Sequence, residues 1–389
     1  MKNTILSLVL LVLCASYTHA QTSRLELQLK DGAYKVGFKV YQEYDYGRTL
    51  SQTVYPLTNT PIVNKARPIQ ITVWYPAKPK NSEKLMPYAN YIKLMATEMD
   101  FNYKGDPLTH PYVKKRGYLN DSTQKEQLKL LLAATSKVYE NADALAGSFP
   151  VLIYNPGGFG SNFENATLCE YLASQGFIVA AYPNVGHVTT IAPPFPPPFF
   201  EEHARDLEFV IAFMHKMPNV DMQKLGIMGF SLGGSSGTTV MSRNSEIKAA
   251  VSLDGWHEPK NIAMMPFVDF SKMTIPYLNL ARKIENNPNK IVYDSLKNQD
   301  KYFITFPTFP HPAFCSAWLM LVEPKDIPKG GQSQVNMGYS LECSYVFNFF
   351  KGYLMGDKAS KEQLKTLHTQ KDIPDGFLNF EYQEAGVKQ

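Results

Sequence analysis

The sequence is poor in cysteine, with four in 389 residues, and none of them forms a Cys-x-x-Cys pair or a Cys/His spacing suited to a structural metal site. No run of Lys and Arg stands out either. Charged residues make up 19% of the chain, the signs are interleaved and the net charge is only +4, which argues against a nucleic-acid-binding surface. Beyond the first 20 residues no segment is apolar for the roughly 20 residues a membrane helix needs. No repeat of 20–50 residues is visible, which excludes solenoids and propellers. No cofactor or metal ion is expected from these patterns.

What is present is a body able to fold. Apolar residues account for 44% of the chain and aromatic ones for 13%, enough for a substantial core. Residues 1–20 read as a secretory signal. Lys2 supplies the positive end, Ile5 to Leu13 is apolar apart from Ser7, and Thr18-His19-Ala20 offers small residues before Gln21. A lipoprotein signal through Cys14 is disfavoured by the bulky Leu13 before it. The expected product is a secreted or periplasmic protein of residues 21–389. Three cysteines then remain, Cys169, Cys315 and Cys343, an odd number for an exported chain. Cys315 and Cys343 could pair if their helices lie side by side; the other reading is three small buried hydrophobes.

Short strands of β-branched and aromatic residues are expected at 34–41 and 69–75. Residues from about 79 to 148 change character, with Pro, Asn and Lys clusters and then a predicted helix over Gln124–Tyr139. They read as an insertion able to frame a pocket. From Phe149 onward strands and helices alternate. Strands are expected at 151–154, 177–182, 225–229, 249–253, 277–280 and 302–306, with helices near 162–174 and 203–217 between them. That order implies a mainly parallel sheet covered by helices on both faces, with ligands bound beyond the carboxyl ends of the strands. Ala192–Phe200 (APPFPPPFF) reads as an extended proline-rich loop. It is either a stiff connector or a pocket wall built of Phe195, Phe199 and Phe200.

The chemistry centres on Gly229-Phe230-Ser231-Leu232-Gly233. A Gly-x-Ser-x-Gly segment between a strand and a helix is the nucleophile elbow of α/β hydrolases, where small neighbours let the backbones approach around the serine. A serine hydroxyl needs a base, and the base needs a group to orient it. The order expected in this fold is serine, acid, histidine. His311, in the loop after the strand YFITF, has the position of the base. His368 lies in a polar helical stretch and reads as a surface residue, and His257 stands too close to the preceding strand end. Asp254 ends a strand in Leu253-Asp254-Gly255-Trp256 and is the favoured acid, although a strand-ending Asp also caps turns. Asp294, after the next strand, is the alternative, with Glu258 and Asp269 as further competitors. For the oxyanion hole, Leu232 is expected to supply one backbone N–H. The loop Asn155-Pro156-Gly157-Gly158-Phe159-Gly160 supplies the other, through Gly158 or else Phe159.

These motifs together resemble the plasma-type platelet-activating factor acetylhydrolases and the nearby dienelactone-hydrolase-like branch. In that family an aspartate in a Leu-Asp-small-Trp segment follows the serine by 23 residues, as Asp254 follows Ser231. The family histidine sits in His-x-x-Phe, matched by His311 and Phe314. Gly32–Phe38 (GAYKVGF) and Trp74-Tyr75-Pro76 fit its early portion. The likeness leaves out residues 79–148 and departs at Asn155-Pro156-Gly157, where the family often has Ser-His-Gly. It implies an α/β-hydrolase fold and hydrolysis of short or oxidised acyl chains from small-molecule esters, a lipid-degrading chemistry. The readings left open are a non-catalytic exported binding protein on the same fold, and a peptidase or acyltransferase with the same triad.

Overall fold

The computed structural model describes residues 27–50, 52–55, 58–115, 125–185, 197–257, 262, 265, 268–285, 288–322, 327 and 331–386. The expectations for the signal segment, Cys14, Gln21, Phe195 and Glu258 lie outside the described residues.

The short apolar runs become strands of one 11-stranded sheet. In chain order these are β1 (Lys35–Thr49), β2 (Ala66–Ala77), β3 (Leu85–Pro87), β4 (Thr135–Glu140), β5 (Phe149–Asn155), β6 (Ile178–Ala181), β7 (Val220–Phe230), β8 (Ile247–Leu253), β9 (Tyr277–Arg282), β10 (Lys301–Phe306) and β11 (Asn379–Gln383). Their order across the sheet is β11-β10-β9-β8-β7-β5-β6-β2-β1-β4-β3. From β6 to β10 every neighbouring pair is parallel. Strands β2 and β11 close that block antiparallel on either side. This is the α/β-hydrolase architecture, with all carboxyl ends of the parallel block on one rim.

Alternation along the strands sorts side chains to two cores. In β5, Leu152 and Tyr154 pack on one face while Val151 and Ile153 pack on the other. The helices Ala166–Ser174 and Gly331–Leu354 cover the first face, and Pro197–Met214 and Leu232–Met241 cover the second. Both faces of the central strands are therefore buried, which is why their sequences read as near-continuous apolar runs.

The structure corrects two expectations and decides between the two readings of the cysteines. The predicted helix over Gln124–Tyr139 is a helix only from Lys125 to Ala133, and Thr135–Glu140 is β4. There Ser136 and Val138 are buried and their neighbours are not, the period of two that defines a strand, and Val138 pairs with Val36. Residues 79–148 thus contribute β3 and β4 to the sheet, beyond β1. The proline-rich segment is not wholly an extended loop. The helix that follows begins at Pro197 rather than near His203, because a proline in the first helical turn gives up an N–H that has no intrahelical partner anyway. Cys169, Cys315 and Cys343 are buried free thiols, so Cys315 and Cys343 are not paired.

Candidate active site

Strand β7 delivers Ser231 at its carboxyl end, and the helix Leu232–Met241 starts at the next residue. Ser231 has φ 51° and ψ −119°, a conformation costing a non-glycine residue about 1–3 kcal/mol. The turn is so tight that a Cβ at Gly229 would lie 2.4 Å from the Gly233 carbonyl oxygen. One at Gly233 would lie 2.0 Å from that of Asn155. The two glycines of the motif are therefore steric requirements of the turn. Around it, the Ser231 N–H donates to the Leu253 carbonyl (3.1 Å), and the Trp256 N–H donates to the Ser231 carbonyl (2.9 Å). These bonds tie the Ser231 turn to the end of β8.

Asp254 follows β8 and His311 follows β10 in a short 3-10 turn, His311–Phe314. The structure brings both to Ser231. His311 Nε2 stands 2.8 Å from Ser231 Oγ, and His311 Nδ1 stands 2.5 Å from Asp254 Oδ2. Asp254 is buried, whereas His311 keeps an open edge. The second carboxylate oxygen, Oδ1, accepts from the Arg282 N–H (3.0 Å) and from Asn289 Nδ2 (3.2 Å). Arg282 Nε lies 3.3 Å from Oδ2. With both oxygens engaged, the carboxylate presents one fixed face to the imidazole. The Phe230 ring stacks on His311, centroids 4.8 Å apart, and fixes the ring plane.

The competitors stand elsewhere. Asp294 is exposed on the helix Ile291–Ser295, and its carbonyl accepts from Lys297 Nζ. Asp269 is exposed and receives the N–H of Ser271. His368 stacks on Phe380 with centroids 4.4 Å apart, near the far end of the chain, and is partly buried rather than fully solvated. His257 is buried 3.2 Å from Thr238 Oγ1, and burial pushes its pKa down to about 4.

Leu232, buried, is the first residue of the nucleophile helix. The loop after β5 lies beside it. The Gly157 N–H donates to Glu164 Oε2 (2.9 Å) and the Gly160 N–H to the Gly157 carbonyl (2.9 Å), while Gly158 is exposed between them. Phe159 holds a left-handed φ of 58°. Asn155 fastens this loop to the elbow: its Nδ2 donates to the Gly233 carbonyl (2.7 Å) and Ser236 Oγ (3.0 Å), and its Oδ1 accepts from Tyr182 Oη.

One apolar cluster gathers Leu232, Phe199, Phe200 and Met265, with Phe159 and Trp256 packed against it. Two of the three phenylalanines considered in the proline-rich segment therefore join the wall next to the nucleophile. Sequence reasoning missed Arg282, Asn289, Glu164 and Met265. Arg282 alone stood near a signal, two residues past the strand expected at 277–280. Among the described residues no group of three or more His, Cys, Asp or Glu is placed to hold a metal ion, and no helix is long and apolar enough to cross a membrane.

Comparison with known proteins shows what this chain is similar to. The chain is similar to Cutinase 1 of Thermobifida cellulosilytica, 26% identical over 144 residues that cover 36% of this chain and 48% of the relative. It is also similar to a cutinase of Thermobifida fusca (strain YX), 26% identical over 144 residues, 36% of this chain and 42% of the relative. The chain thus spans about half the length of the curated relatives it matches. A solved ferulic acid esterase from Streptomyces cinnamoneus superposes with a TM-score of 0.60 at 18% identity, covering 91% of this chain and 98% of that one, which shows the shared fold. The family model described as PETase: PET hydrolase-like matches residues 117–321, more than half of the sequence and the whole stretch from the loop after β5 to His311, and the chain belongs to that PET hydrolase-like family.

Proposed function

We propose that this protein is a serine carboxylic-ester hydrolase working through an acyl-enzyme. The observation that carries the reading is the unbroken hydrogen-bonded line Ser231–His311–Asp254. In this reading Ser231 Oγ attacks the ester carbonyl carbon as His311 Nε2 takes its proton. Asp254 holds the imidazole by Nδ1 and stabilises its positive charge. The backbone N–H groups of Leu232 and Gly158 receive the oxyanion. His311 then gives the proton to the departing alkoxide. In the second half it draws a proton from water as the water oxygen attacks the acyl carbon, then returns that proton to Ser231 Oγ as the Oγ–acyl bond breaks and the acid leaves.

The apolar wall of Phe159, Phe199, Phe200, Trp256 and Met265 favours an ester with a sizeable apolar group on a small molecule. The names of the relatives, cutinase and ferulic acid esterase, point the same way. The Leu-Asp-Gly-Trp setting of Asp254 supports the finer likeness to platelet-activating factor acetylhydrolases. The signal-like residues 1–20 support export to the periplasm or beyond the cell, with residues 21–389 as the hydrolase domain.

A series of p-nitrophenyl esters of rising chain length, given to the protein and to Ser231→Ala, tests the reaction. The variant should fold and lose activity on the order of 10⁶-fold, as loss of a triad nucleophile does elsewhere. A fluorophosphonate probe should label Ser231. Full activity in Ser231→Ala, or labelling at another serine, refutes the mechanism.

A further inference from the structure

Two helices of this fold exchange their N-terminal caps, and both begin beside the candidate catalytic centre. The helix Ala166–Ser174 follows the oxyanion loop. The helix Ser316–Leu321 follows the turn that carries His311. A helix start leaves N–H groups unpaired, and the N-cap side chain usually takes one of them. Neither helix does this for itself: Asn165 and Cys315, the two N-cap residues, make no side-chain cap bond to their own helix. Each helix is capped by the other. Asn165 Oδ1 accepts the Ser316 N–H (3.1 Å), and Ser316 Oγ accepts the Thr167 N–H (3.3 Å). The Glu164 carbonyl also accepts the Ala317 N–H (3.0 Å).

The same two residues reach into both loops of the site. Asn165 Nδ2 donates to the Phe314 carbonyl (3.1 Å), the last residue of the His311 turn, and Tyr339 Oη donates to Asn165 Oδ1. Glu164 Oε2 accepts from the Gly157 N–H (2.9 Å) and Tyr154 Oη (2.9 Å), which sets the backbone of the oxyanion loop. Glu164, Asn165, Phe314 and Ser316 are all buried, so these bonds do not compete with water. The two loops are otherwise far apart in sequence, by 149 to 153 residues at the bonded pairs.

We infer that Glu164 and Asn165 are positioning residues that lock the oxyanion loop and the histidine turn to each other through the exchanged caps, so that donor and base keep one relative placement. The inference deepens the hydrolase reading and rests on it for its effect on rate. A misplacement of about 1 Å in such a centre can cost on the order of 10²-fold in rate.

The test uses the full chain with Ser316→Ala, Asn165→Asp and Glu164→Gln. Hydrogen–deuterium exchange is followed in residues 155–160 and 307–315, and ester kinetics are scaled to the serine titrated by a fluorophosphonate. Ser316→Ala touches neither the oxyanion loop nor His311, yet it should speed exchange in both segments. It should also lower kcat per titrated serine about 5- to 50-fold, with KM changed less than twofold. Glu164→Gln should likewise loosen the histidine turn. Faster exchange confined to the segment nearest each substitution, with kcat per titrated serine unchanged, overturns the coupling. Coupled exchange in a parent protein that hydrolyses no ester and takes up no probe would uphold the coupling and refute the hydrolase reading instead. A variant that only unfolds more readily lowers the titrated fraction but not kcat per titrated site, and that outcome counts against a positioning role.

Discussion

At Asp254 an exchange for Asn keeps the size of the side chain but removes the charge that His311 Nδ1 and Arg282 face. The equivalent exchange in a serine protease lowered kcat about 10⁴-fold, because the imidazole lost its correct tautomer. Asp254→Asn is therefore expected to be folded by circular dichroism and nearly inactive on a short-chain ester at neutral pH. Asp294→Asn, changed at an exposed position, should retain most of the parental rate. The reverse ranking would move the acid role away from Asp254. That Ser231, Asp254 and His311 would meet was legible in the sequence because each follows a recognisable strand and one of them sits in a sterically demanding motif. Asn289 and Glu164 were not. Their side chains matter through partners that the fold brings near, 35 residues away for Asn289 and 7 and 10 away for Glu164, and nothing in their local sequence marks them.

The nucleophile elbow lets steric demand be tested at the scale of one element. A Cβ at Gly233 would meet the Asn155 carbonyl oxygen, a backbone atom, at 2.0 Å, so the strand-to-helix turn must open to admit it. Gly233→Ala is expected to lose several kcal/mol or to fail to fold. Gly237 lies in the same helix, yet a Cβ there finds its nearest neighbours at 3.6 and 3.7 Å, ordinary contact distances. Gly237→Ala should stabilise by up to about 1 kcal/mol through helix propensity. Urea unfolding of the two variants checks the pair, and equal effects of the same sign would contradict the packing described. Reading of the sequence recovered β5 to β10 and parts of β1 and β2; all but β1 are buried on both faces over the stretch that was read. The elements it lost are marginal or masked in pattern. Strand β11 (NFEYQ) is a half-exposed edge, β3 has only three residues, and the helix Gly331–Leu354 is buried around most of its girth, which blurs its periodicity.

For the molecule as a whole, buried titratable groups set opposing dependences on pH. Burial pushes His203 down to about 3 and His257 to about 4. As pH falls below about 6.5 the unfolded chain gains protons there that the folded one refuses, so stability is lost on the acid side. Burial acts the other way on two carboxyls: Glu170 is pushed up to about 7 and Glu342 is raised well above the usual range. Above roughly pH 4.5 the unfolded chain releases protons that the folded one retains, so these groups cost stability as pH rises. The two sets offset each other between about pH 4.5 and 6.5, and the carboxyls act alone above that. Glu342→Gln should therefore gain stability over the parent chain as pH is raised, by up to about 1.4 kcal/mol per pH unit within the window. Urea midpoints at pH 4.5 and 8.5 decide it; an identical difference at both would show that Glu342 does not titrate in this way.

The three buried thiols turn the protein into its own clock for opening. Cys169 lies in the helix after the oxyanion loop, Cys315 beside the histidine turn and Cys343 in the long helix behind them, and burial holds each thiol in its unreactive protonated form. Iodoacetamide should leave Cys169, Cys315 and Cys343 of the native protein unmodified, and a reductant should find no disulfide among them to break. Alkylation in dilute urea, read by mass spectrometry, then times when each region first exposes its sulfur. If the exchanged caps bind the two helices into one unit, Cys169 and Cys315 should be modified at the same rate. Ser316→Ala should quicken both together while Cys343 keeps its own pace.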